Sequence, residues 1–211
     1  MADSVNQEQI VQAAWELLAE DGIATFSMRK LAKKVDLSVS TLYWHFENKN
    51  AIFNELINEV AGSAEKAFKK SGTWQERLLQ DGLILAQELR KRPYSAELML
   101  SLPPDTDNYW LVTEQLLVVI DDLKLSDGEK FNAISILLNY ILAFERDFLV
   151  QKINVTQMPI GKLAINKQIG SQITILKRLY QKGLFQQMGT EAALTWSLRT
   201  IIAGLDQQQN N

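Results

Sequence analysis

The stretch SMRKLAKKVDLSVSTLYWHFENK, residues 27–49, contains two short amphipathic segments separated by a turn. In the first segment the apolar residues recur at helical spacing, which predicts a helix with one buried face. The members of this apolar stripe are Met28, Leu31, Ala32 and Val35. Ser27 precedes the first segment and Ser38 or Ser40 begins the second, and a serine hydroxyl can accept from an unpaired first-turn N–H. The stretch therefore predicts two capped helices joined by a turn at Asp36-Leu37.

The second segment retains only Leu42 and Phe46, four residues apart, for a core. Its other residues are small, polar or aromatic: Val39, Ser40, Thr41, Tyr43, Trp44 and His45. A soluble protein rarely exposes Tyr, Trp and His together on one short helix unless a partner covers them. In a helix-turn-helix the second helix lies in the DNA major groove, where small residues approach base edges and polar side chains contact phosphates. The stretch therefore predicts DNA binding.

Each of these residues also has an ordinary structural explanation. Arg29 and the neighbouring lysines can form a solvated helix face, and Tyr43 and Trp44 can pack against the following helix. His45, the only histidine of the chain, can be a surface or capping residue. The order and spacing of the whole set favour DNA binding over these separate explanations.

TLYWHFENK, residues 41–49, together with SMRKLA, residues 27–32, resembles the helix-turn-helix of the TetR family of one-component transcriptional regulators, and within it the tetracycline repressor group. The resemblance implies an all-α protein with a three-helix DNA-binding head joined by a continuous helix to a ligand-binding and dimerisation body. It implies that Arg29 is the main base reader. The implied phosphate contacts are Ser27, Ser38, Tyr43, His45 and Lys49, and the implied base contacts are Val39, Ser40, Thr41 and Trp44. The resemblance also implies that Met28 reaches DNA. Met28, Val39 and Ser40 differ from the residues that are common at these positions in the family, so we expect a different operator sequence.

The positive charge of the chain is concentrated in this stretch. Residues 1–26 carry five acidic and no basic residues, whereas residues 27–50 carry five basic and two acidic residues. The whole chain has a net charge of −3. Because the basic patch is small, we expect two copies to bind together and their affinity to fall steeply with salt.

Composition restricts the class of protein. The chain has 211 residues, of which 46% are hydrophobic, enough for a substantial core. Cysteine is absent, which excludes disulfides and thiolate metal sites. The N-terminal MADSVNQEQ is polar and acidic, unlike a signal peptide, and no run of about 18 apolar residues could span a membrane. We expect a cytoplasmic protein.

Helical periodicity continues through the rest of the chain and predicts two domains, a helix-turn-helix domain at 1–50 and a helical regulatory and dimerisation domain at 51–211. The first helix has a stripe that stops at Gly22, and a fourth helix follows Lys49 without a Gly/Ser/Pro linker. The further predicted helices cover 74–90, 94–100, 109–123, 127–150, 162–182 and 190–205, with a loop at 151–161 and a frayed tail after Leu205. Thr73/Glu76 and Ser126/Glu129 fit the capping box.

Two helices are too apolar for a single globular body. Residues 131–144 are apolar on nearly every side, and the last helix carries Trp196 beside its own stripe. The resemblance implies that such helices from two subunits pack as a four-helix bundle, so we expect a homodimer through 127–150 and 190–205. Two-fold symmetry would then match a palindromic operator. The alternative is that both helices are central to a monomeric core.

The resemblance also implies a small-molecule effector inside the body. In the tetracycline repressors this is a drug–magnesium chelate held by a histidine, but here the only histidine lies in the head and Met99 and Leu102 occupy the corresponding region. We therefore expect an effector other than magnesium–tetracycline. The candidate lining residues, each of which is equally compatible with plain core, are Asp81, Leu85, Leu89, Met99, Leu102, Leu116, Ile120, Phe131, Ile134, Leu138, Tyr140, Phe144 and Glu145.

An enzymatic role has little support in the sequence. There is no cysteine, no second histidine, no glycine-rich phosphate loop and no metal-ligand spacing, so we expect no catalytic residue, metal or cofactor. The sequence predicts a homodimeric repressor that binds a palindromic operator and is released by a small-molecule effector. The alternative is a helical ligand-binding or interaction protein whose helix-turn-helix no longer binds DNA.

Overall fold

The computed structural model of the chain describes residues 6–153 and 172–210. These residues form ten α-helices and one 3₁₀ turn at Leu184–Gln187, without a β-strand among them. The helices are α1 (Gln7–Thr25), α2 (Met28–Lys34), α3 (Val39–His45), α4 (Lys49–Ala67), α5 (Trp74–Lys91), α6 (Ser95–Ser101), α7 (Asp107–Val119), α8 (Asp127–Ile153), α9 (Thr174–Gln181) and α10 (Glu191–Gln209). The predicted all-α fold is confirmed. Below, α1–α3 together with the adjoining residues up to Asn50 are called the head, and α5–α10 are called the body.

The head is a three-helix unit built around side chains from each helix. Asn6 and Gln9 form a reciprocal capping box that starts α1, and Gly22 interrupts the helix with φ 73°. The side chains of α1, α2 and α3 that meet in this core include Ile10, Leu18, Leu31 and Leu42, all completely buried. The head core therefore holds α2 and α3 in a fixed relation.

Helix α4 connects the head to the body as one uninterrupted helix. Asn48 caps its first turn by accepting from the Ala51 N–H at 2.9 Å. Ile52 and Leu56 face the core and are completely buried. The predicted continuity between head and body is therefore present in the structure.

The middle of α4 is hydrogen-bonded to the start of α7. The Asn108 backbone N–H donates to Asn58 Oδ1 at 3.1 Å, and Asn108 Nδ2 donates to the Asn58 carbonyl oxygen at 2.9 Å. Gly62 permits this approach, because a Cβ at that position would lie 2.5 Å from Asn108 Nδ2. The two helices are thus joined at closest contact near the midpoint of α4.

Both predicted capping boxes are present at helix starts of the body. Glu76 Oε2 accepts from the Thr73 N–H at 2.9 Å before α5, and Glu129 Oε2 accepts from the Ser126 N–H at 2.7 Å before α8. Thr190 caps α10 by accepting from the Ala193 N–H. These short polar motifs predicted the helix starts correctly because they act within a single turn.

Two predicted helix ends are wrong. Helix α7 stops at Val119 rather than Leu123, although Leu123 and Leu125 still pack against the core as partly buried side chains. The apolar pattern therefore outlasts the helix. Helix α10 extends to Gln209, so the tail after Leu205 is helical and not frayed. Of the predicted loop at 151–161 and helix at 162–182, only residues 151–153 and 172–182 lie within the described residues.

None of the described helices combines the length and the apolar character that a bilayer span requires.

Candidate nucleic-acid interface

Helix α3 begins at a tight, hydroxyl-rich turn. Ser38 Oγ accepts from the Thr41 N–H at 3.0 Å, which caps the helix, and it also lies 2.8 Å from Ser40 Oγ. Asp36 adopts φ 52°, and the Leu37 N–H donates to the Ala32 carbonyl at 2.9 Å. Of the two candidate caps, the structure selects Ser38. The turn places α3 immediately beside α2.

The outer face of α3 carries large side chains that nothing in residues 6–153 and 172–210 covers. Trp44 is 89% exposed and Tyr43 is 49% exposed, while Val39 and Ser40 are also exposed and Thr41 is half-buried. The alternative in which Trp44 packs against the following helix is therefore wrong. Leu42, which points the other way, is completely buried, so the helix is fixed from behind.

The remaining sequence-predicted DNA contacts lie in mixed environments. Arg29 is exposed on α2, whereas Ser27 is half-buried and caps α2 by accepting from the Lys30 N–H at 3.3 Å. His45 is half-buried at the end of α3. Met28 is buried in the head core, as its place in the α2 stripe predicts, and this burial leaves its side chain little surface for DNA.

Lys49 does not present its ammonium to the outer surface. Its Nζ donates to the carbonyl oxygens of Ile23 at 3.2 Å and Phe26 at 3.1 Å, and it lies 4.9 Å from the ring centroid of Phe53. Burial lowers the pKa of this amine. The predicted phosphate contact of Lys49 is therefore replaced by a structural role that ties the end of α1 to the start of α4.

The head is joined to the body by a polar cluster around Glu59 of α4. Trp15 Nε1 of α1 donates to Glu59 Oε2 at 2.9 Å, and Arg92 Nη2, just after α5, donates to Glu59 Oε1 at 2.6 Å. The Arg92 guanidinium also lies 5.4 Å from the Trp15 ring. Three distant parts of the chain meet here, and no local sequence pattern indicates this cluster.

Replacing Glu59 by Ala is expected to loosen α1 against the rest of the chain. Trp15 and Arg92 would lose their shared acceptor, and loss of a partly buried charged hydrogen-bond partner costs about 1–2 kcal/mol. Amide hydrogen exchange in α1 should accelerate by about 5- to 30-fold. Hydrogen exchange followed by mass spectrometry measures this, with Glu55→Ala, an exposed change on the same helix, as the control. Equal acceleration in both variants would contradict a specific role for Glu59.

The two helices predicted to form the dimer expose an apolar surface. A groove of about 370 Å³ runs between α8 and α10. Its apolar lining comprises Leu125, Ala133, Ile136, Ile201, Gly204 and Leu205. Ile136 is 59% exposed and Trp196 on α10 is 70% exposed. We call this groove, together with Trp196, the α8–α10 face. A monomeric core, the alternative, would have covered it.

Most of the predicted effector-lining residues are ordinary core. The completely or largely buried members of that set are Leu85, Leu89, Met99, Leu116, Ile120, Ile134 and Leu138. Leu102, Tyr140 and Phe144 are partly buried against the same core. Phe131, the fifth residue of α8, is instead 59% exposed and borders a surface groove beside Trp110, away from the buried members of the set.

The two buried carboxylates of the predicted lining already have partners. Asp81 Oδ1 accepts from the Lys69 N–H at 2.7 Å, which fixes the connection between α4 and α5. Glu145 accepts from Arg90 Nε at 2.7 Å and Arg90 Nη2 at 2.9 Å in a bidentate pair. Burial raises the pKa of both carboxyl groups, and their hydrogen bonds act in the opposite direction.

A small cavity lies beside Glu145 in the described part of the body. Leu89 and Glu145 border a cavity of about 60 Å³ near the start of α6. Ligand pockets usually measure about 300–1,000 Å³. Within the described residues, no cluster of three or more His, Cys, Asp or Glu side chains could hold a metal ion.

Comparison with known families agrees with this arrangement of head and body. A model of the bacterial regulatory proteins of the tetR family matches residues 10–56, which contain α2 and α3. The tetracyclin repressor-like C-terminal domain matches residues 68–209, two thirds of the chain. The chain belongs to the TetR family. Its resemblance to the tetracycline repressor group, inferred from residues 27–49, is thereby confirmed.

Individual members of the TetR family are similar to this chain over different lengths. The class D tetracycline repressor protein of Escherichia coli is 33% identical over 127 residues, which are 59% of this chain and 58% of that protein. The matched segment thus spans little more than half of that relative. Apo ActR from Streptomyces coelicolor superposes with a TM-score of 0.78 at 18% identity and covers 100% of this chain and 99% of its own. BioQ, crystallised with its double-stranded DNA operator, has a TM-score of 0.64 at 24% identity and covers 79% of this chain and 99% of its own. The two structures show a shared fold.

Proposed function

We propose that the protein is a transcriptional regulator that binds a palindromic DNA operator as a homodimer and acts as a repressor. The observation that carries this proposal is the outer face of α3, where Trp44 and Tyr43 are exposed on a helix fixed from behind by Leu42. Such a face lacks a partner in the part of the chain that the structure describes, and it fits the major groove. The presence of a repressor among its relatives supports the direction of control.

The proposed functions of the two parts of the chain follow the two matched segments. Residues 1–50 bind DNA, and residues 51–211 provide regulation and dimerisation. In the head, Arg29, Val39, Ser40, Thr41 and Trp44 contact bases. Ser27, Ser38, Tyr43 and His45 hold phosphates. Lys49 and Met28 support the head from within and do not take part in this interface.

The two heads are held in register by the α8–α10 face. When the apolar surfaces of two copies meet, their two-fold axis relates the two heads and matches a palindrome. Ile136 and Trp196, which are both exposed in the single chain, would be covered by that contact. One small head alone would bind weakly, so dimerisation and operator binding are linked.

Release from DNA is proposed to follow the binding of a small hydrophobic or amphipathic effector in the body. An effector acts only through its different affinities for the DNA-bound and released conformations. The cavity of about 60 Å³ at Leu89 and Glu145 is too small for a drug-sized molecule, so such an effector must favour a conformation in which the body opens. The Glu59 cluster and continuous α4 would transmit this change to the head.

Selection of bound duplexes from a random DNA pool by the purified protein tests the proposal. At near-physiological salt we expect enrichment of a palindromic motif with two half-sites about one helical turn, or 34–36 Å, apart. Failure of a folded dimer to enrich any sequence would contradict operator binding and favour a helical ligand-binding or interaction protein. Titration of small molecules into the operator complex tests the release step separately.

A further inference from the structure

The head carries more acidic than basic residues. Residues 1–50 contain seven acidic and five basic residues, a net charge of −2 with His45 neutral. Phosphate neutralisation by lysine and arginine supplies essentially all sequence-independent affinity for DNA. A head with this charge is poorly suited to bind DNA without regard to sequence.

Two of the five basic side chains are held by carboxylates of α1. Lys34 Nζ lies 2.9 Å from Glu20 Oε1 and 3.3 Å from Glu16 Oε2. Lys30 Nζ lies 2.6 Å from Asp21 Oδ2. The hydrogen bond with Glu20 is the main cause of a raised pKa at Lys34. Lys30 and Lys34 are therefore directed towards α1 in the absence of DNA.

The cations of α2 form two rows with different environments. Lys30 and Lys34, four residues apart, face α1, whereas Arg29 and Lys33, also four apart, occupy another exposed row. Among the described residues, no ion pair engages Arg29 or Lys33. Since Lys49 is bound inside the head, the row of Arg29 and Lys33 supplies the cations that are directly available to DNA.

We propose that Glu16, Glu20 and Asp21 are specificity-determining residues, which hold Lys30 and Lys34 away from the DNA backbone and thereby suppress sequence-independent binding. This inference rests on the proposed operator-binding function. A dimer then makes about four cationic contacts, from Arg29 and Lys33 of each head, instead of about eight from all four cations of each α2, so the slope of log K against log [salt] is about −4 rather than about −7. The affinity for DNA should therefore fall less steeply with salt than the charge distribution along the sequence predicts.

The carboxylates act on non-operator DNA more than on the operator. In an operator complex the base contacts fix the register of each head, so a released lysine gains only if a phosphate lies within its reach. A head on random DNA can shift until the released lysine meets a phosphate. Removing the α1 carboxylates therefore lowers the ratio of operator to random-duplex affinity. The fold tolerates their removal, because exposed ion pairs contribute only about 0–1 kcal/mol to stability.

The test compares the dimer with its Glu16→Gln/Glu20→Gln variant on a random-sequence duplex at several salt concentrations. Release of Lys34 in both heads should steepen the salt slope by about 2 and raise random-duplex affinity by about tenfold or more at 0.1 M salt. Adding Lys34→Gln should cancel this gain, although Lys34→Gln alone should change affinity little. Glu88→Gln/Asp122→Asn, which breaks the 2.6 Å pair with Lys91 on α5 and removes a second carboxylate from an exposed position, is the matched control for net charge and should leave the slope unchanged.

Two results would overturn the proposal. One is an unchanged slope and affinity in Glu16→Gln/Glu20→Gln, and the other is a gain that persists when Lys34 is also replaced. These outcomes are read on random DNA, whereas the proposed function is read on the selected operator. Loss of operator selection in the unmodified protein would therefore contradict the function without deciding the role of the carboxylates.

Discussion

Replacing Arg29 by Ala is expected to weaken operator binding by about 2–6 kcal/mol per dimer, roughly 30-fold to 10⁴-fold, because each half-site would lose a bidentate base contact of about 1–3 kcal/mol. The same change should leave the unfolding temperature nearly unchanged, since Arg29 is exposed and contributes nothing to the head core. Fluorescence anisotropy with the selected operator measures the affinity, and thermal unfolding followed by circular dichroism measures the stability.

The control for this change is Arg178→Ala, which removes the same charge from an exposed position on α9. It should bind the operator as the unmodified protein does. Trp44→Ala is a second test variant. The Trp44 side chain is 89% exposed, so its loss should weaken operator binding without unfolding α3. Equal losses in Arg29→Ala and Arg178→Ala would mean that net charge, and not the surface of α2 and α3, determines affinity.

Introducing a charge into the α8–α10 face is expected to raise the dimer dissociation constant by at least about 10³-fold. Ile136→Glu would bury two carboxylates at a two-fold contact, and the penalty for burying an ion without a partner is several kcal/mol. Operator binding should fall with the dimer, because a single head retains only half of the contacts. Sedimentation velocity over a concentration series measures the association.

The separated Ile136→Glu subunit should remain folded. Ile136 is 59% exposed in the single chain, so a charge at this position does not disturb the core of the subunit, and circular dichroism checks this directly. Trp196→Ala is a milder second variant that should weaken association while leaving a measurable dimer. Trp44→Ala, which lies in the head, should remain dimeric. A dimer of unchanged affinity in Ile136→Glu would place the contact between subunits elsewhere.

Local patterns predicted much of the fold and the outer face of the head. The Thr73/Glu76 and Ser126/Glu129 motifs act within one helical turn, so the sequence is sufficient to predict them. The inward direction of Leu42 and outward direction of Trp44 follow from helical spacing in the same way.

Contacts between distant segments could not be predicted from spacing. The Lys49 ammonium is bound by two carbonyl oxygens from the end of α1, and Glu59 joins Trp15 to Arg92. Those partners are separated by 23 to 44 residues along the chain, and only the packing of the helices brings them together. The exposure of Phe131 could not be predicted for a related reason, since the spacing within α8 does not reveal which of its apolar faces the body covers.

The contact of Asn58 and Gly62 with Asn108 lies at the midpoint of α4. Asn58 lies nine residues from Lys49 and nine from Ala67, so each arm is about 13–14 Å long. If α4 pivoted rigidly about this contact, its two ends would move by equal distances in opposite directions. A shift of the body end of α4 by 2 Å would therefore move the head end by about 2 Å the opposite way. A larger residue at position 62 would push Asn108 away from α4 and so alter the spacing of the two heads, although position 62 is not among the proposed DNA contacts.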